Sequence, residues 1–273
     1  MTEHYFENSF IKLHYYKFGN GPENMLCFHG FGMHGKQFRV LEEKLGHKYT
    51  FWGFDLLFHK ETELKDNSLP TIKKGISKDQ LAAVFIEFCA SEQIDSFSVI
   101  GYSMGSHYAT VLVEKIPERI KEYLVAAPSS IEPGPVIRFF SENKLGNKII
   151  EKLLMSEKAT LSLLSLFKRL RIIDAVSRDI LFKEVNTPAL RFAIYGCLTY
   201  LRPLETDERR LINALDAHNI KSYFFFGKRD KNFLPRIGDA FFKKFTPTKI
   251  IALDENHEMI NEHFASHLAR LLL

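Results

Sequence analysis

Short apolar runs alternate with amphipathic stretches along the first 127 residues, and this alternation constrains the fold more than any other feature. F-I-K-L-H-Y-Y-K-F (10–18) has the period of a half-buried strand, and N-M-L-C-F-H-G (24–30) is an apolar strand running into a glycine turn. T-F-W-G-F-D (50–55), S-F-S-V-I-G (96–101) and E-Y-L-V-A-A (122–127) read as further strands. Helical spacing falls between them, at 36–45, at 78–90 with Ser77 as N-cap, and at 106–115. Strands and helices in this order predict a parallel sheet with helices on both faces. The rhythm breaks at P-S-S-I-E-P-G-P (128–135), and residues 136–212 then read as helix, punctuated weakly at Gly146, Pro188 and Pro203. Alternation resumes with K-S-Y-F-F-F-G (221–227), a helix near 236–244, K-I-I-A-L (249–253) and a closing helix from 259. The expected organisation is an α/β core over 1–130 and 213–273, with an all-helical insert over 131–212.

Composition narrows the function classes. A chain of 273 residues can bury a large core. Its net charge of +4 is too small to argue for nucleic acid, and no apolar stretch is long enough to span a bilayer. The insert holds 14 Lys and Arg against 10 Asp and Glu, so its +4 equals that of the whole chain, a weak pointer to an anionic ligand. Cys27, Cys89 and Cys197 are too scattered for a disulfide framework or a zinc site, and a reducing cytoplasm is the expected location. The start, M-T-E-H-Y-F-E-N, lacks the pattern of a secretory signal.

G-Y-S-M-G (101–105) sits at a strand-to-helix junction. Ser103 there is either a helix cap or a nucleophile on a strained turn, where flanking glycines prevent collision and the helix N-terminus faces developing negative charge. A serine nucleophile needs a base, and the base an orienting acid. His257, in L-D-E-N-H-E-M, follows the last strand, and Asp230, in F-F-F-G-K-R-D, follows the strand before it. Carboxyl ends of parallel strands share one rim, so Ser103, Asp230 and His257 are expected together there. Asp254 and Glu255 are alternative acids but lie too close to His257 in sequence to reach its far ring nitrogen. His107 is expected to be a packed or surface side chain. H-G-F-G (29–32) supplies a second turn, with the backbone N–H groups of Phe31 and Met104 as the expected oxyanion donors. His263 and His267, one turn apart, are read as an exposed helix face, because no H-E-x-x-H pattern accompanies them.

In order, H-G-F-G, G-Y-S-M-G, the helical insert, G-K-R-D and N-H-E-M resemble the small cap-bearing members of the α/β-hydrolase superfamily. The resemblance implies a mostly parallel eight-stranded sheet flanked by helices, an inserted helical cap as a lid, and Ser103–Asp230–His257 as the triad. D-L-L-F-H-K-E (55–61) stands where the superfamily has D-x-P-G-H-G-x-S, keeping Asp55 and His59 and neither glycine. Asn256 stands where glycine is usual, and asparagine tolerates the left-handed backbone such a turn uses. With serine as nucleophile, the aspartate-based dehalogenases and epoxide hydrolases are disfavoured.

The leading expectation is hydrolysis of a small ester or thioester without cofactor or metal. The partner is a small molecule, anionic or acyl-bearing, with no role for nucleic acid or membrane. A second reading keeps the triad for C–C hydrolysis or elimination on an anionic carboxylate, and clustering of Arg138, Arg171, Arg191 or Arg202 would favour it. A third is a silent ligand-binding relative.

Overall fold

The computed structural model describes residues 1–169, 183, 185–233 and 235–273. Among the described residues nine strands make one sheet: β1 (Thr2–Glu7), β2 (Ile11–Phe18), β3 (Glu23–Phe28), β4 (Tyr49–Phe54), β5 (Glu63–Leu64), β6 (Phe97–Tyr102), β7 (Ile120–Ala126), β8 (Lys221–Gly227) and β9 (Lys249–Leu253). Their order is β1-β2-β4-β3-β6-β7-β8-β9, with the two-residue β5 beside β2 as an addition to the eight expected. β1–β2, β2–β4 and β2–β5 are antiparallel, and every other pairing is parallel.

Strands covered on both faces are apolar throughout rather than alternating. All six residues of β6 are buried, as are Phe224, Phe225 and Phe226 in β8. Each such phenylalanine contributes about 1.5–3 kcal/mol by leaving water. Edge-to-face contacts, such as Phe28 on Phe85 and Phe54 on Phe88, join β3 and β4 to the helix Lys78–Ser91. Ser77 caps that helix as expected, in a reciprocal pair with Gln80. The stretch 36–45 is not one helix. It is a 3-10 turn, Gly35–Leu41, followed by the short helix Glu42–Leu45. The buried Phe38 and Leu41 are three residues apart, a spacing that both helix types satisfy. The closing helix is Glu262–Leu272, capped by Asn261.

The described residues divide into two units. The first, residues 1–66, 77–133 and 204–273, holds the sheet and the helices Lys78–Ser91, Gly105–Lys115, Glu208–Ala217 and Glu262–Leu272. The second, residues 67–76 and 134–203, holds the helices Leu69–Lys74, Pro135–Glu142, Lys144–Leu154, Glu157–Arg169 and Pro188–Tyr200. Residues 204–212, grouped with the insert on sequence, therefore lie in the first unit, and 67–76 in the second. Inside the second unit, Arg191 is buried and donates to the carbonyls of Leu154 (3.1 Å) and Val185 (2.8 Å). Among the described residues no helix is long and apolar enough to cross a membrane.

Candidate functional site

The sheet delivers its candidate chemistry at the carboxyl ends of β3, β6, β8 and β9, which run parallel and open on one rim. β6 ends at Tyr102, and Ser103 turns sharply with φ 48°. A non-glycine residue in that region costs on the order of 1–3 kcal/mol and persists only when its surroundings over-determine it. Here they do so through the backbone. The Ser103 N–H donates to Ala126 O (2.9 Å), and its carbonyl accepts from Ser106 N–H (2.9 Å), Ser106 Oγ (2.6 Å) and Ser129 Oγ (2.9 Å).

Both flanking glycines are sterically required. A Cβ on Gly101 would come within 2.6 Å of Gly105 O, and one on Gly105 within 2.0 Å of Phe28 O. Of the two readings of Ser103, the cap is not the one found. Met104 occupies the cap position of the helix Gly105–Lys115, and no side chain caps it.

Gly30 lets the loop after β3 lie against this turn. A Cβ there would meet the Tyr102 ring at 2.6 Å and approach Ser103 Cβ at 3.5 Å. Loop amides are taken up in sequence: Gly30 N–H by Gln37 Oε1 (3.1 Å), Gly32 by His59 Nε2 (3.0 Å) and Gly35 by Asp55 Oδ1 (2.8 Å). Among the described residues, no hydrogen bond engages the N–H of Phe31 or of Met104.

His29 and His59 are buried and serve as acceptors. His29 Nε2 takes the Leu56 N–H (3.0 Å) while its Nδ1 donates to Gly30 O (2.7 Å), and His59 Nδ1 donates to Leu57 O (2.9 Å). Burial lowers both pKa values, which keeps both rings neutral.

The segment 55–61 keeps its shape without glycine. Phe58 (φ 65°) and Lys60 (φ 49°) hold left-handed backbone at the two positions where the superfamily pattern has glycine. Asp55 anchors this segment, accepting from His14 Nδ1 (2.7 Å) as well as from Gly35. Left-handed backbone costs about 1–2 kcal/mol for an ordinary residue, and glycine returns about 0.4–1 kcal/mol of that through the freer unfolded chain. Lys60→Gly is therefore expected to stabilise by about 0.5–1 kcal/mol, read as a rise of about 2 °C in thermal midpoint.

Asp230 follows β8 and is fully buried. Its Oδ1 accepts from Asn232 N–H (2.8 Å) and Phe233 N–H (3.0 Å), and its Oδ2 from His257 Nδ1 (2.8 Å). Burial alone would raise its pKa, but the His257 bond and the two amides outweigh burial and lower it. With Nδ1 donating to a carboxylate, the ring leaves Nε2 as its basic nitrogen. Two backbone bonds lace the Asp230 and His257 loops together, Lys228 N–H to Leu253 O (2.8 Å) and Arg229 N–H to Glu255 O (2.9 Å). Gly227 permits this, because its Cβ would meet Glu255 O at 2.6 Å.

Tyr102, which sequence reasoning passed over, ties the pair to the serine turn. Its hydroxyl donates to His257 O (2.6 Å), and its ring lies 5.4 Å from the imidazole, with Phe233 at 5.5 Å. The other candidates are occupied elsewhere. Asp254 pairs with Arg229 (3.2 Å), and Glu255 accepts from His263 Nδ1 (2.7 Å). His107, half-buried in its helix, has a pKa pushed down to about 4 by desolvation. Asn256 departs from expectation: it is not among the left-handed residues, and its Oδ1 instead accepts the Glu258 N–H (2.9 Å), closing the turn through the side chain. Of the four insert arginines, Arg191 is bound to carbonyls, Arg138 pairs with Glu142 (3.4 Å) and Arg202 donates to Lys73 O (3.3 Å). Arg171 lies outside the described residues.

Comparisons with known proteins agree with this architecture. Residues 23–148 match the family described as alpha/beta hydrolase fold. A hydrolase from Pseudomonas aeruginosa PA01 superposes with TM-score 0.69 at 16% identity, over 99% of this chain and 97% of its own. A thermophilic esterase from Thermogutta terrifontis, solved with malate bound, gives TM-score 0.64 at 15% identity over 100% and 98%. The dihydrolipoyllysine-residue acetyltransferase component of the acetoin cleaving system of Cupriavidus necator is 28% identical over 118 residues. That stretch is 43% of this chain and spans only 30% of the relative's length. The chain has the α/β-hydrolase fold.

Proposed function

We propose that the protein is a serine hydrolase acting on a small ester or thioester. In this reading His257 Nε2 takes the proton from Ser103 Oγ as the oxygen attacks the carbonyl carbon. Asp230 holds the imidazole in the required tautomer and stabilises the imidazolium that forms. The carbonyl oxygen, now an anion, accepts from the N–H groups of Phe31 and Met104, each worth about 2.7–4 kcal/mol in the transition state. The imidazolium then protonates the leaving alcohol or thiol. Water, deprotonated by the same nitrogen, releases the acid and restores the serine.

One observation carries the reading. The fully buried Asp230 carboxylate binds His257 Nδ1, while Tyr102, the neighbour of Ser103, binds the His257 backbone. A buried carboxylate bound to a histidine, on loops tied through Tyr102 to the strand end that carries the strained Ser103, supports this reading. The reading for C–C cleavage of an anionic substrate draws no support from the insert arginines, since Arg138, Arg191 and Arg202 are each engaged locally. The test is a panel of p-nitrophenyl esters of two to eight acyl carbons, acyl-CoA thioesters and a meta-cleavage diketo acid. Turnover is expected on an ester or thioester; turnover of the diketo acid alone, or of nothing, contradicts the proposal.

A further inference from the structure

The hydrolytic reading leaves one histidine pair unused. His263 and His267 stand one turn apart on the closing helix, and both are reachable by solvent. Their Nε2 atoms are 3.1 Å apart, their ring centroids 4.6 Å, and the ring planes cross at 78°. The centroids are thus 4.6 − 3.1 = 1.5 Å farther apart than the nitrogens. A linear N–H···N bond would make that difference about 2.2 Å, because each nitrogen lies roughly 1.1 Å from its ring centre. The rings therefore meet in a bent hydrogen bond, His267 Nε2–H donating to His263 Nε2, and two ligands of one ion meet at a similar angle. Imidazole nitrogens at about 2.0–2.1 Å from a shared metal lie about 2.9 Å apart at a right angle and about 3.3 Å at the tetrahedral angle. The observed spacing falls between these.

A second, independent observation points the same way. His263 Nδ1 donates to Glu255 Oε1 at 2.7 Å, and the Glu255 side chain is only 16% exposed. A carboxylate on Nδ1 fixes the tautomer that leaves a lone pair on Nε2 and raises its basicity, the usual support behind a metal-bound histidine. We propose that His263 and His267 form a bidentate site for a late first-row divalent ion, with Glu255 orienting His263. Imidazole ligands favour Cu²⁺, Ni²⁺ and Zn²⁺ over the oxygen-seeking Mg²⁺ and Ca²⁺. Among the described residues no group of three or more ligating side chains converges, so water completes the coordination sphere. Glu255 lies two residues before His257 and its carbonyl holds the Arg229 N–H, so its bond to His263 ties the ligand-bearing helix to the His257 loop. This site stands apart from the hydrolytic reading and does not depend on it.

Calorimetric titration of the untagged, chelator-stripped chain with nickel chloride tests the proposal. One ion per chain is expected, with affinity lowered at least tenfold in His267→Ala and in His263→Ala. Glu255→Gln should lower it about tenfold, the range seen when such supporting partners are removed. Substituting the exposed His47 should change nothing, and circular dichroism should verify that each variant is folded. No binding to the wild-type chain, or binding undiminished by both histidine substitutions, overturns the site.

Discussion

Ser103→Ala is expected to reduce kcat/KM on the best ester of the panel by on the order of 10⁴- to 10⁶-fold while leaving the fold intact. The size of the loss follows from what the hydroxyl supplies. Without Oγ no acyl-enzyme forms, and only the oxyanion donors and binding remain to accelerate attack by water. The fold should persist because the turn is held by main-chain atoms. The Ser103 N–H bonds Ala126, and the carbonyl bonds Ser106 and Ser129. Alanine also tolerates φ 48° about as poorly as serine, so the strain is unchanged. Steady-state hydrolysis together with a thermal melt measures both effects. Undiminished turnover would mean that the nucleophile lies elsewhere.

Asp230→Asn is expected to cost about 10⁴-fold in kcat with a near-normal KM. The asparagine amide can still accept the Asn232 and Phe233 N–H groups through its oxygen, so the local turn survives. Its NH₂, however, faces His257 Nδ1 and selects the tautomer with the proton on Nε2, which is the wrong nitrogen for accepting a proton from serine. The same substitution changes stability against pH. The folded Asp230 pKa is depressed, so its stabilising contribution is complete above the unfolded carboxyl value of about 3.9 and is lost as pH falls through the folded value. Urea midpoints taken from pH 7 down to 3 should fall more steeply for the wild type than for Asp230→Asn. Parallel curves would show that the carboxylate gains nothing on folding.

Much of this could be read from residue order because the information was local. Two-sided apolar runs marked β3, β6 and β8, and the site residues fell at strand ends, where a parallel sheet gathers side chains. β1 escaped because it is an exposed strand at the sheet edge beside β2, so its burial carries almost no period. Tyr102 escaped for a different reason: its partner, His257, is 155 residues away, and nothing in G-Y-S announces that contact. His14 likewise reads as an ordinary strand residue until β4 brings Asp55 beside it.

The departures from superfamily glycines had two outcomes that spacing could not separate. At Phe58 and Lys60 the left-handed backbone is retained at an energetic cost, held by the Asp55 and His59 bonds on either side. At Asn256 the chain instead closes its turn with a side-chain acceptor and ordinary backbone. Which outcome occurs depends on how many neighbouring bonds fix the segment, and that is a tertiary property.

In the proposed mechanism Ser103 is a nucleophile activated by His257 and Asp230. Covalent labelling with a fluorophosphonate, followed by intact-mass and peptide-mass analysis, tests it most directly. One label per chain on the peptide containing Ser103 is predicted, with the rate of labelling falling by orders of magnitude in His257→Ala. An unlabelled wild-type chain, a label on another residue, or a rate indifferent to His257 would contradict it.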